Sequence, residues 1–209
     1  MTDPRLYHTI SVELCTAAGL FTALTILLKL IADAYLKRFG GRPGRLGRFA
    51  RFTSDIGEPT AYAMGIGAFG FTFVSMGTGI NTWPWDALMT SGGVHNKIMF
   101  TGLSQTTFGL FVAMRTKFGK ELWKNRLLAA VYSVLGMMGG AIMIMQNSVA
   151  GHLAGKGSIL DPFLSPIGID LTHELVLPPL VSILVIVSSC AFLAFTAWWA
   201  YSRRKASYG

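Results

Sequence analysis

Charge is scarce in this chain. Only 13% of its 209 residues are charged, against about 25% in an ordinary soluble domain, while 52% are hydrophobic. That deficit argues against a water-soluble enzyme and points to long stretches facing a solvent that cannot hydrate ions. Cysteine is almost missing: Cys15 and Cys190 each sit inside an apolar run and read as small buried hydrophobes, not as a disulfide or a metal pair. The nucleophile and nucleotide signatures Gly-x-Ser-x-Gly, Walker A and His-Glu-x-x-His are all absent. No segment carries regularly spaced arginines or a filter-like run, and no inverted halves are detectable, which leaves a channel or secondary transporter with little support. A cleavable leader is not expected either, because Met1–Leu6 contains Asp3 and Pro4 and the apolar run that follows is too long.

What the chain does have is apolar length. A helix crossing a hydrocarbon core of ~30 Å needs about 20 mostly apolar residues. Five segments answer that description, at about 10–36, 60–80, 98–114, 127–150 and 175–201, the third being the shortest. The expectation is a single-domain, all-α integral membrane bundle of five transmembrane helices. Its glycines, 24 in all, suit close packing of membrane helices. The connections are short. Arg42-Pro43-Gly44 marks a turn, Trp83-Pro84-Trp85 reads as an interfacial anchor, and Asp161-Pro162 predicts a short surface helix.

The net charge of +8 is not a nucleic-acid footprint, because the basic residues lie in short loops between apolar runs. Lys37, Arg38, Arg42, Arg45, Arg48, Arg51, Arg115, Lys117, Lys120, Lys124, Arg126, Arg203, Arg204 and Lys205 fall on one side, and only Arg5, Lys97 and Lys156 on the other. Lys/Arg-rich loops stay in the cytoplasm. The N-terminus is therefore expected outside and the C-terminus inside, in a multi-pass protein of the inner or plasma membrane.

All four histidines, His8, His95, His152 and His173, fall on the outer side in that topology. Imidazoles from facing helices can hold the iron of a b-type haem, and also suit copper. His152 with His95 is the first candidate pair and His8 with His173 the second, with Met145 on the face of His152. Gln146 and Asn147 are candidate supporting hydrogen-bond partners. Glu13, one to two turns below His8, is a candidate proton acceptor. Each has a plainer reading: an interfacial histidine, a packing notch for Gly136-x-x-x-Gly140, core filler for Met137, Met138, Met143 and Met145, and a wet carboxylate for Glu13. Lys29 and Asp33, four residues apart, can pair on one helix face, with snorkelling of Lys29 as the plain alternative. Pro178-Pro179 predicts a kink or a delayed start in the last helix.

The stretch Gly151-His152-Leu153-Ala154-Gly155, after a glycine-rich helix, resembles an element of small uncharacterised bacterial membrane proteins that also place a histidine near the start of their first helix. His8 and His152 are the matching positions. The pattern is similar to b-type cytochrome membrane subunits of respiratory complexes, and the five-helix count resembles the membrane subunit of nitrate-reductase-type complexes. It departs from the latter in having no histidine near the cytoplasmic ends, so the resemblance implies one outer haem and no two-haem relay.

The functional expectation is an electron-transfer subunit of a larger respiratory complex. It would hold haem b near the extracytoplasmic face and link a quinone pool to an extracytoplasmic redox protein, beside other membrane subunits. The alternatives are a cofactor-free assembly subunit, or a copper-binding subunit of a membrane oxidase or monooxygenase.

Overall fold

The structure, a computed structural model, describes residues 4–39, 44–158 and 160–167, with isolated positions between 184 and 194. Among these the chain is helical and contains no strand. The expected span at 175–201, with His173, Pro178-Pro179 and Cys190, lies outside the described residues except at a few positions.

Helix α1 runs Pro4–Phe39 and α2 runs Arg45–Thr82. At 1.5 Å per residue each is about 55 Å long, well beyond a hydrocarbon core of ~30 Å. A short α3, Trp85–Thr90, leads into α4, Gly92–Phe118. A 3₁₀ turn, Gly119–Lys124, joins α4 to α5, Arg126–Leu153, and α6 is a single turn, Asp161–Leu164. That last turn stands where Asp161-Pro162 predicted it. Local chemistry explains the boundaries. Ser91 caps α4 by accepting from the Val94 amide at 3.4 Å, and Asn125 caps α5 by accepting from the Leu127 and Leu128 amides at 3.0 and 3.3 Å. Gly119 ends α4 at φ 56, a conformation costly for any side chain.

The expected span at 60–80 proves to be the distal part of α2, which runs straight through Pro59. Proline removes one ladder hydrogen bond and crowds the preceding turn. Here tertiary packing holds the helix across it: Gly47, Ala50 and Gly57 are buried, and a Cβ on Gly57 would lie 2.8 Å from Lys29 Cβ. Close approach to α1 therefore continues on the N-terminal side of the proline.

α1, α2, α4 and α5 form a ring in which each packs against the next and α5 closes on α1. Several polar groups point inward, and many large apolar ones point outward. Ser104, Gln105 and Thr22 are fully buried, whereas Phe21, Leu24, Leu27 and Ile31 of α1 are exposed. Three helices, Arg5–Phe39, Arg45–Thr82 and Arg126–Leu153, are long and apolar enough to cross a membrane, which suggests a membrane protein and is compatible with a lipid bilayer around the bundle. The expected span at 98–114 lies inside α4, which is not among these three. Its inward Thr101, Ser104, Gln105 and Thr107 lower its hydropathy.

The glycines of α5 are packing notches. A Cβ on Gly139 would meet Phe108 at 2.7 Å, one on Gly136 would meet Phe111 at 3.0 Å, and one on Gly140 would meet Ala23 Cβ at 2.5 Å. Phe108 joins Cys15, Ala18, Ala68 and Met143 in one core, and Phe111 joins Ile26, Ala61, Leu122 and Tyr132 in another. The two cores divide the bundle into halves, one ending at the histidines and the other at the basic connections.

Candidate functional site at the histidine end

His8 in α1, His95 in α4 and His152 in α5 all belong to the same end of the bundle, because α1 and α4 begin where α2 and α5 finish. Their imidazoles nevertheless have different surroundings. His95 is buried, and its Nε2 lies 2.9 Å from the Leu88 carbonyl, so it ties α4 back to α3. His152 Nε2 lies 2.9 Å from Asp161 Oδ1, and the other carboxylate oxygen of Asp161 accepts from the Ser158 amide at 2.8 Å. These contacts close the turn after α5. His8 is held differently: its Nδ1 is 3.3 Å from Thr78 Oγ1, and its Nε2 is buried with no hydrogen-bond partner among the described residues.

His8 also lines a cavity of about 120 Å³. Met76 and Ile80 of α2, with Trp83, Leu88, Val94 and Ile98, make its walls apolar. Ser75, Lys97, Thr101 and Gln146 contribute polar atoms. Gly79 makes the site possible, since a Cβ there would lie 3.0 Å from His8 Cε1 and push the ring away. Gln146 is 5% exposed; its Nε2 donates to Thr101 Oγ1 at 2.8 Å, while its Oε1 is buried without a partner among the described residues.

The remaining sequence candidates are dispersed. Met145 is half-buried and does not line the cavity. Asn147 donates to Thr16 Oγ1 at 2.7 Å and to the Met143 carbonyl at 2.9 Å, and lines a second cavity with Thr16, Leu20 and Ser158. Glu13 is exposed on α1. Among the described residues no three His, Cys, Asp or Glu side chains form a group able to hold a metal ion.

The basic end contains a constellation that sequence reasoning missed. Glu58, 6% exposed, pairs with Arg115 through Nε, and Arg115 Nη2 donates to the second carboxylate oxygen at 3.3 Å. Arg115 had the look of a loop charge and Glu58 of a residue before a proline. Only the continuation of α2 through Pro59 brings the two together. Beside them Lys29, 8% exposed, donates to Asp33 Oδ2 at 2.9 Å and to the Ser54 carbonyl at 3.3 Å, and Ser54 donates to Asp33 Oδ1. The pairing of Lys29 with Asp33 was legible from their spacing. The burial of Lys29, with its ammonium 4.5 Å from the Trp123 ring centroid, was not.

Neither a family model, nor a curated protein, nor a solved structure shows significant similarity to this chain.

Proposed function

We propose that this chain is an electron-transfer subunit of a larger membrane complex, with its histidine end extracytoplasmic, exchanging electrons between a quinone pool and an extracytoplasmic redox protein. The observation that carries the reading is the buried, unpartnered Nε2 of His8 at an apolar cavity. A polar atom buried without a partner costs about 1–3 kcal/mol, and such groups concentrate where something is bound or transferred.

A b-type haem is the redox centre that the sequence pattern favours, and His8 supplies one open nitrogen for it. The described residues do not complete a bis-imidazole site. His95 and His152 use their Nε2 atoms on Leu88 and Asp161, and the cavity is below the roughly 300–1,000 Å³ usual for small-molecule pockets, well short of a macrocycle. His173, the remaining histidine candidate, lies outside the described residues.

Visible absorption and metal analysis of the purified chain in detergent test the proposal. A Soret band that disappears in His8→Ala, with the variant still inserted, supports it. Copper without haem favours a copper subunit.

A cofactor-free assembly subunit is the second reading. The hydrogen bonds that already engage His95 and His152, and the glycine notches of α5, favour it. Absence of both haem and copper would select it.

A further inference from the structure

The first turns of α2, which the sequence presents as a connection, carry an outward surface of two kinds of side chain. Arg45, Arg48, Phe49 and Phe52 recur at the spacing of one helix face, and Arg51 flanks them. All five are exposed, Phe49 and Phe52 at 64% and 59%. None of the three arginines forms an ion pair among the described residues. Glu58 is taken up by Arg115, which leaves Asp55 as the one exposed carboxylate of the segment.

Packing fixes the level of this surface along the bundle. α1 and α2 keep one antiparallel register: Gly79 approaches His8, Thr72 meets Cys15, and Ser54 meets Asp33. Continued by a few turns, that register sets Arg48 and Phe49 level with Arg38 and Phe39. α5 is registered on α1 in the same way, through Asn147 with Thr16 and Gly140 with Ala23. Arg126, where the apolar run of α5 starts, therefore stands level with Leu36 and Lys37. The basic ends of three helices share one plane, and the two phenylalanines lie at that plane. Toward the histidine end the same face of α2 continues with exposed Ile56 and Val74, so the patch is continuous with the apolar outer surface of the bundle.

We propose that the first two turns of α2 bind an anionic phospholipid, Arg45, Arg48 and Arg51 holding the headgroup phosphate and Phe49 and Phe52 lying along the acyl chains. The planar guanidinium matches a phosphate with two parallel hydrogen bonds. An anionic headgroup, unlike a zwitterionic one, brings no cation of its own to oppose three arginines that lack acidic partners. An acidic protein segment would satisfy the arginines alone; rings placed at the edge of the apolar surface favour the lipid. The site is at the opposite end of the bundle from His8 and does not depend on a redox centre.

Native mass spectrometry of the full chain, released from neutral detergent with equal amounts of phosphatidylglycerol and phosphatidylcholine of the same acyl chains, tests this. Phosphatidylglycerol is expected to be retained at least about fivefold over phosphatidylcholine, the worth of one basic residue near an anionic surface. Arg48→Gln should lower that preference about two- to fivefold. Arg45→Gln, Arg48→Gln and Arg51→Gln together should remove it while the helical circular dichroism stays unchanged. Phe49→Ala with Phe52→Ala should lower the retention of both lipids. Lys124→Gln is the control: this lysine lies at the same end but is paired with Glu121 at 2.7 Å, and its loss should leave the preference in place. Excess inorganic phosphate should not displace the lipid. Equal retention of the two lipids by the parent chain overturns the proposal and leaves the face to an acidic protein partner. A preference that survives the folded triple variant, or that Lys124→Gln abolishes, also overturns it. Displacement by inorganic phosphate would replace the lipid with a site for free phosphate. The lipid comparison and the phosphate competition use the parent chain, so they decide the matter even where a variant does not fold.

Discussion

The two ends of the bundle solve the burial of polar groups in opposite ways. At the basic end, four charged side chains are matched in sign: Glu58 holds Arg115, and Lys29 holds Asp33 with Ser54 bonded to both. At the histidine end two neutral acceptors, His8 Nε2 and Gln146 Oε1, are buried without a hydrogen-bond partner among the described residues. A buried ion pair stands only when both partners are present, so the first arrangement ties helices together. An unpartnered buried acceptor costs about 1–3 kcal/mol, so the second arrangement does not tie helices together. Among the described residues the basic end does leave Trp123 Nε1 and Tyr132 Oη without hydrogen-bond partners, and Gln105 is unpartnered at both amide atoms near mid-bundle. None of these three lines the His8 cavity.

Substitutions on the two ends should therefore differ in size. The largest effect is expected from Glu58→Ala. It strands the Arg115 guanidinium between α2 and α4 and should cost about 3–5 kcal/mol, read as a shift of the denaturation midpoint in detergent. Replacing both members with apolar residues, Glu58→Leu with Arg115→Met, should recover most of that loss. A double variant as unstable as the single one would show that the pair does more than neutralise itself.

An intermediate effect is expected midway along the bundle. Gly140→Leu places a side chain where Ala23 Cβ and the Gly19 carbonyl already stand, at 2.5 and 3.2 Å from the Cβ position. Overpacking of this kind costs about 1–3 kcal/mol. The variant should lose its single symmetrical peak on size exclusion. Retention of a wild-type profile would mean that α1 and α5 can separate freely.

The smallest effect is expected at the histidine end. His8→Phe removes the unpartnered Nε2 and the 3.3 Å contact of Nδ1 with Thr78 Oγ1 but keeps a ring against Gly79, so its unfolding midpoint should fall by only about 0.5–1.5 kcal/mol, the worth of one hydrogen bond. A loss as large as that of Glu58→Ala would make His8 a structural residue and erase the contrast between the ends.

Much of this was readable in the chain before any coordinates. Apolar runs placed the cores of α1, α2, α4 and α5, and Asp161-Pro162 placed α6. The ends of the helices were harder, because Arg45–Glu58 is polar enough to look like a connection and Pro59 looks like a boundary. Burial of Gly47, Ala50 and Gly57, the last against Lys29 and Thr25 of α1, overrides both signals. Within the site, the shared end of His8, His95 and His152 follows from alternating helices. That His95 bonds Leu88, that His152 bonds Asp161 and that His8 bonds nothing through Nε2 depends on angles about each helix axis, which spacing does not encode.

By itself the sequence determined the helical class, the apolar lengths that match a bilayer, the segregation of basic residues to one set of connections and the pairing of Lys29 with Asp33. These rest on local composition and on spacings within one helix. Only the tertiary structure decided that Glu58 meets Arg115, that α2 persists through its proline, and that Gln146 and His8 line a common cavity. Those outcomes depend on how helices distant in sequence rotate and approach, and close contact at glycines, not the pattern along any one helix, sets that rotation.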